Sequence, residues 1–336
     1  MTQTDITPTI LVTGPTRGIG RAMLERLHQH PSRPALVLLA RDEGALAQAV
    51  ASSRAAGLDA VGIPVDLASL RSVGNALTRL SGLVDEGVVA PVDAAILNAG
   101  AQFLDRRHTS MEGYELTFAV DVLAQHALVA GLEPLLATHG HVVLLGSSTH
   151  RGKRQSFHLV PDPVWQSPRD LARPDTFLPV GTFRAERERG GVAYATGKRA
   201  LVTLSHSWAR RLARSGRRLN VYDPGLVAGT DLVRGMPGYM DWVWRNVMPA
   251  MSVLPGATTP HRTARRAVAL ALGDAHGDVV DGYIEMGRLT QAEPVTFDEA
   301  RQAVLWEWLE DALSQARADD APRDRPAGLR SSGQTS

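Results

Sequence analysis

The sequence predicts an α/β fold, a doubly wound parallel sheet in a single domain, and three observations carry that prediction. Short apolar runs of strand length alternate along the chain with longer runs at helical period. The first apolar run ends directly in a glycine-rich turn that opens a helix, the junction on which such sheets bind ligands. The chain has 336 residues, 44% of them hydrophobic, which is enough for one large core.

The elements follow in order. Strands are expected at Thr9 to Thr13, Leu36 to Ala40, Ala60 to Ile63, Val92 to Leu97, His141 to Leu145 and Leu219 to Tyr222, each too short for a helix and apolar enough to be buried on both faces. Between them, Gly18 to His30, Asp42 to Ala56, Ser69 to Leu80, Met111 to Ala137 and Val192 to Ala213 read at the 3.6-residue period. A further helix, Thr259 to Leu272, leads to a strand at Val280 to Glu285 and a last helix at Phe297 to Ala316. Residues 317–336 are rich in Asp, Arg, Pro, Gly and Ser and are expected to be a disordered tail, leaving residues 1–316 as the domain.

The bulk properties exclude several functions. A formal net charge of +1 provides no global field for nucleic acid or an anionic membrane. With no cysteine there is no disulfide, no thiolate metal site and no cysteine nucleophile. His139-Gly140-His141 has no metal-site partner pattern, so it is read as exposed and no metal is expected. The N-terminal MTQTDITPT lacks a basic and an apolar region, and no uninterrupted apolar run reaches membrane-span length. A cytoplasmic protein is the default expectation.

Thr13-Gly14-Pro15-Thr16-Arg17-Gly18-Ile19-Gly20 lies between the first strand and the first helix. Glycines there let the backbone approach a pyrophosphate, and the helix terminus supplies amides and partial positive charge. The second strand ends Leu39-Ala40-Arg41, where a free ribose 2′-hydroxyl usually meets an acid and a 2′-phosphate meets arginine. Arg41 and Arg17 together favour NADP(H), while Asp42, one residue on, is the acid that would instead face a ribose. Farther along, Tyr194 and Lys198 stand four residues apart on one helix face. The chain has 36 lysines and arginines, yet its lysines are Lys153 and Lys198 alone. A lysine at this position offers a compact charge with three rotatable donors, able to serve a phenol and a sugar hydroxyl together.

Taken in order, Thr13-Gly14-x-x-x-Gly18-Ile19-Gly20, Asp66-Leu67, Asn98-Ala99-Gly100, Ser147, Tyr194-x-x-x-Lys198 and Pro224-Gly225 make the chain similar to the classical short-chain dehydrogenases/reductases, over residues 9 to 285. The resemblance implies a Rossmann-like fold and an NADPH-dependent reductase of a ketone or aldehyde, acting on a small molecule and forming a homodimer or homotetramer. It further implies that Gly14, Thr16, Arg17, Gly18, Ile19 and Arg41 hold the phosphates, and that Asp66 and Leu67 flank the adenine. Asn98, Ala99 and Gly100 would brace the central strand beside the ribose, while Pro224, Gly225, Val227 and Thr230 would run past the nicotinamide. Ser147 would hydrogen-bond the substrate oxygen, Tyr194 would donate the proton, and Lys198 would tune the phenol and anchor the ribose. Bringing a tyrosine from a pKa near 10 to about 7 takes roughly 4 kcal/mol, which the Lys198 charge and an oxidised cofactor ring are expected to supply.

Two positions depart from the family pattern. Val120-Asp121-Val122 stands where an asparagine supports a proton relay, so Asp121 keeps the main-chain carbonyl but loses the amide donor. In Pro224-Gly225-Leu226-Val227-Ala228-Gly229-Thr230 the threonine comes one residue late. The run Tyr222-Asp223-Pro224-Gly225 leaves open reduction of a polarised C=C bond, and Asp121 with the long segment between Ser147 and Tyr194 leaves open a non-catalytic NADP(H)-binding sensor or scaffold.

Two stretches interrupt the alternation. Residues 151–191 hold five prolines together with Phe157, Trp165, Phe177 and Phe183, and read as an inserted substrate lid. Residues 226–256 hold Tyr239, Trp242 and Trp244 and read as a substrate loop. Their rings suggest a bulky, apolar or aromatic substrate, or simply an anchored lid or subunit contact. Arg151, Lys153 and Arg154 read either as a solvated basic turn or as a hold for an acidic substrate.

Overall fold

The computed structural model describes residues 7–103, 105–155, 158, 160–174, 182–227, 233–234 and 257–320. Strands β1 (Thr9–Thr13), β2 (Ala35–Ala40), β3 (Ala60–Pro64), β4 (Val92–Leu97), β6 (Leu136–Leu145), β7 (Arg218–Asp223), β11 (Tyr283–Glu285) and β12 (Arg288–Thr290) form one eight-stranded sheet, ordered β12-β11-β7-β6-β4-β1-β2-β3. All pairings are parallel except the terminal β11–β12 hairpin. Because β1 pairs with both β2 and β4, the chain reverses its direction of winding there, which opens a crevice at the carboxyl ends of β1 and β4. Two short pairs stand apart from this sheet: β5 (Gln102–Phe103) with β9 (Val233–Arg234), and β8 (Leu226–Val227) with β10 (Ala257–Thr258).

Alternation along the strands divides the core into two layers. Ile10, Val12, Leu36 and Leu38 face α1 (Gly18–His28), α2 (Glu43–Ala55) and α8 (Pro260–Leu272), while Leu11, Val37 and Leu39 face the opposite layer. That second layer contains α3 (Leu70–Asp85), α5 (Ala124–Leu132), α7 (Phe183–Ala213) and α9 (Glu299–Asp320). The fully buried Trp208 of α7 meets Trp306 of α9 at 4.7 Å and donates to His126 Nδ1 at 3.1 Å. His126 in turn contacts Glu310 of α9 at 3.0 Å, so the last helix is clasped by apolar and polar contacts together.

Several elements differ from the sequence expectation. Met111 to Ala137 is not one helix: α4 (Leu116–Phe118) and α5 are joined by a π-helical turn, Ala119–Leu123, and the chain is already in β6 at Leu136. The run Leu116–Leu135 is long and apolar enough to cross a membrane, although Asp121, Gln125 and His126 interrupt it; 78% of its apolar window is buried against the rest of the fold. Helix α7 begins at Phe183, nine residues before Val192, because Ala185, Glu186 and Arg187 are good helix formers, Thr182 caps the start, and Glu186 pairs with Arg107 and Arg189. The expected strand from Val280 is shortened to Tyr283, since Asp281 takes a left-handed φ of 57°. At the other end α9 runs on through Arg317 to Asp320, correcting the tail boundary; no proline intervenes before Pro322.

Candidate active site

Both halves of the crevice are built at strand ends. Gly14 turns out of β1 with φ 66°, and its N–H donates to Leu39 O at 2.8 Å. A Cβ on Gly20 would lie 1.9 Å from Gly14 O, so helix α1 approaches the turn as closely as it does only because this residue has no side chain. Arg17, in extended conformation, precedes α1 without a side-chain cap, and no acid occupies the first turn. The terminal amides of α1 therefore keep their capacity to bind an anion. Thr16 and Ile19 are half-buried in the same turn, and Arg17 and Arg41 are both exposed at its rim. Asp42 is otherwise engaged: its Oδ1 accepts from Ala45 N at 2.8 Å, capping α2.

Asn98 ties the two strand ends together, donating through Nδ2 to Thr13 O at 3.1 Å and Gly14 O at 3.3 Å. Ala99 N donates to Thr13 Oγ1 at 2.9 Å. Asp66 closes a local turn by accepting from Ala68 N at 3.1 Å, and Leu67 is buried in the core.

The second half is gathered from three elements. Tyr194 and Lys198 lie on α7, Ser147 at the end of β6, and Asp121 in the π-helical turn. Such turns widen a helix locally and re-aim its side chains, a device often found at functional sites. The Ser147 hydroxyl acts on the Tyr194 phenol, and Ser147 Oγ accepts from Thr149 Oγ1 at 3.0 Å. Lys198 Nζ donates to Leu145 O at 3.1 Å and stands 5.7 Å from the Tyr194 ring centre. Asp121 Oδ1 accepts from Ala101 N at 3.0 Å, while its Oδ2 is buried without a hydrogen-bond partner among the described residues, 3.7 Å from Lys198 Nζ. Gly100 borders this contact, since a Cβ there would lie 2.8 Å from Asp121 Oδ1.

The electrostatics of the site are set by burial and by neighbouring charge. In the chain alone the Tyr194 phenol is pushed up from its ordinary value, first by burial and then by the Asp121 carboxylate; the Ser147 hydrogen bond only partly opposes them. Burial likewise raises the carboxyl of Asp121, against the pull of Lys198.

Other expectations are also revised. His141 is buried, in contact with Ala271 O and Asn220 Nδ2, and burial brings it down to about 4; of the two histidines in His139-Gly140-His141, His139 alone is exposed. Arg151 is no solvated turn, for it pairs with Glu285 at 2.7 Å and covers the Tyr283 ring, while Lys153 pairs with Asp162 at 3.5 Å. Trp165 packs against the core beneath the Arg301 guanidinium, 5.2 Å away, which makes it an anchor. Val164 and Leu171 line a cavity of about 130 Å³ with Phe118, Ala193 and Thr196, and none of Ser147, Tyr194 or Lys198 borders it. Thr230, Phe157, Phe177, Tyr239, Trp242 and Trp244 lie outside the described residues, as does the Phe183 side chain.

Sequence reasoning missed a buried group beside the site. Asp223, fully buried at the end of β7, accepts from Tyr283 Oη at 2.5 Å and from Gly225 N at 2.8 Å, and burial pushes its carboxyl up to about 6. The signal available was an ionisable residue at the end of a strand expected to be wholly buried, immediately before Pro224-Gly225.

Comparison with known proteins agrees with this architecture. Residues 8–159 match the family model described as short chain dehydrogenase. The chain is 29% identical over 303 residues to DnrU of Streptomyces sp. (strain C5), provisionally named a daunorubicin C-13 ketoreductase, covering 89% of this chain and 90% of the relative. It is 25% identical to dehydrogenase/reductase SDR family member 13 of Bos taurus, over 94% of this chain and 76% of that one. Among solved structures, an NADPH-bound carbonyl reductase from chicken fatty liver superposes with a TM-score of 0.58 at 15% identity, covering 85% of this chain and 99% of the other. A blue fluorescent protein from a metagenomic library, in complex with NADPH, gives 0.57 at 21% identity, covering 85% and 98%. At these identities the structural likeness speaks for the fold.

Proposed function

Because the chain belongs to the short-chain dehydrogenase/reductase family, we propose that it reduces a ketone or aldehyde with NADPH. The single observation that carries this reading is the buried Tyr194 on the same face of α7 as Lys198, whose Nζ stands 5.7 Å from the phenol ring and donates to Leu145 O, two residues before Ser147. When bound, the reduced cofactor supplies the hydride. The protein's own residues do the rest. Ser147 donates to the carbonyl oxygen, polarising it, and Tyr194 transfers its phenolic proton as that oxygen becomes an alkoxide. Positioned proton transfer of this kind contributes about 10² to 10⁴ in rate. Lys198, held by Leu145 O, stabilises the phenolate left behind and donates to the ribose.

The residues of the crevice fit the cofactor. Uncapped amides of α1 and the close Gly14–Gly20 approach suit a pyrophosphate, with Thr16, Gly18 and Ile19 completing the turn. Asp66 and Leu67 take the adenine side, Asn98 to Gly100 the ribose side, and Pro224, Gly225 and Val227 the nicotinamide side. Support for NADP(H) over NAD(H) comes from Arg17 and Arg41 at the rim, and from Asp42, whose carboxylate is committed to α2. The two structural neighbours described as NADPH complexes point the same way.

The test is NADPH oxidation against a panel of ketones and aldehydes, wild type beside Tyr194→Phe. The variant should lose turnover while retaining NADPH binding; equal rates from the two proteins on a reduced substrate would remove Tyr194 from the mechanism. A wild type that binds NADPH but oxidises it with none of the panel would favour the sensor or C=C readings.

A further inference from the structure

The loops that follow β6 and β7 carry Ser147 and the Pro224–Gly225 turn, and they are joined beneath the crevice by side chains that have no part in the chemistry just described. Asp223 Oδ1 accepts from Gly225 N at 2.8 Å, across a turn in which Gly225 takes a φ of 71°. Its Oδ2 accepts from Tyr283 Oη, on the neighbouring strand β11, at 2.5 Å. The Tyr283 ring lies 4.7 Å from that of His150, and Tyr283 Oη is 3.3 Å from His150 Nδ1. His150 completes the connection, with Nδ1 2.7 Å from Ser147 O.

The protonation of the group follows from these contacts. His150 Nε2 accepts from Glu293 N at 3.2 Å, so the imidazole carries its proton on Nδ1 and donates it to Ser147 O. Burial keeps this ring neutral, bringing it down to about 3. Tyr283 therefore gives its proton to Asp223. The other flank of Tyr283 is closed by Arg151, 4.8 Å from the ring centre and paired with Glu285 at 2.7 Å. Asp223 and Tyr283 are buried, at 0% and 3% exposed, so the contacts are shielded from competing water.

We infer that Asp223 and Tyr283 are positioning residues that hold the Pro224–Gly225 turn in fixed register with the Ser147 loop. Resting on the proposed cofactor reading, this assigns them to the nicotinamide end of the crevice. They hold the end where hydride transfer takes place and leave the phosphate end, at α1, unaffected. A buried ionisable pair is costly unless it is fully hydrogen-bonded, and a network this complete leaves its loops little freedom to move apart.

Two ligands separate this role from general stabilisation: NADPH, which occupies both ends, and 2′,5′-ADP, which lacks the nicotinamide. Titration of wild type with both, followed by calorimetry, should give binding of each. Tyr283→Phe keeps the ring packing, and should weaken NADPH about tenfold, the equivalent of one buried hydrogen bond, while changing 2′,5′-ADP less than about twofold. Asp223→Ala should do the same, and Asp223→Asn, which still offers Gly225 N an oxygen, should recover most of the loss. Equal weakening of both ligands by Tyr283→Phe, or no weakening of either, overturns the inference. Wild type that binds neither ligand instead overturns the cofactor reading on which it rests. Thermal melts of each variant identify any loss of folding, and Asp223→Asn then provides the test in place of Asp223→Ala.

Discussion

Asp121 Oδ2 lies 3.7 Å from Lys198 Nζ inside the protein, each side chain almost wholly buried. The two residues come from different helices and meet because the π-helical turn at Ala119–Leu123 aims Asp121 at α7. The carboxylate has opposing effects: it pairs with the ammonium, and its charge raises the phenol of Tyr194.

Asp121→Asn tests that opposition. The amide retains an oxygen for Ala101 N but removes the charge that favours a protonated phenol. Alcohol oxidation requires the phenolate, so its rate rises with pH through the Tyr194 transition. The variant should start oxidising at lower pH than wild type. Superimposable pH–rate profiles with NADP⁺ and the alcohol product would exclude electrostatic coupling between the two side chains.

Replacing Arg41 with alanine should weaken NADPH by about tenfold or more, the range of a hydrogen bond to a charged group, and leave NADH affinity unchanged. Fluorescence titration with both nucleotides decides it. Equal losses would mean that Arg41 does not contact the 2′-phosphate.

Gly20→Ala places a Cβ 1.9 Å from Gly14 O, a backbone atom that has no rotamer to yield. Forcing α1 away from the turn should cost about 1 to 3 kcal/mol, the usual range of overpacking, and remove nucleotide binding. A variant with wild-type melting temperature and NADPH affinity would contradict the close approach.

Acid stability follows from histidines held neutral by burial. His141, with an ordinary value of 6.5, is brought down to about 4, so the unfolded chain takes up its proton first. Its contribution is intact above pH 6.5 and is lost as pH falls toward 4, by about 3 kcal/mol for this residue. His126, also brought down to about 4, acts in the same direction. Asp223 opposes them: raised from 3.8 to about 6, it contributes stability below pH 3.8 that is lost as pH rises through 6. With His150, brought down to about 3, three buried histidines act against Asp223 and the carboxyls of Asp121 and Glu115, which burial also raises; the histidines set the expected direction, a falling melting temperature between pH 6.5 and 4. An unchanged melting temperature over that interval would falsify the assignment.

Local pattern was sufficient for much of this molecule. Thr9–Thr13 and Val92–Leu97 are strands over the same residues that their apolar runs mark, because a strand buried on both faces announces itself by composition. Gly14, Tyr194 and Lys198 stand out in the sequence by a strand-to-helix turn and by i, i+4 spacing, whereas Asn98 and Ser147 are marked by the family resemblance; all five lie at element ends or on α7. Tertiary structure decided what lies between distant segments. Asp121 meets Lys198, and Asp223 meets Tyr283, only when parallel crossovers bring their elements side by side. His141 could be read as exposed from its neighbours and is buried, because its partners, Asn220 and Ala271, lie far along the chain. The physical reason is common to these cases. A polar group inside a core is tolerated only with a partner, and the partner is supplied by the sheet order rather than by adjacent residues.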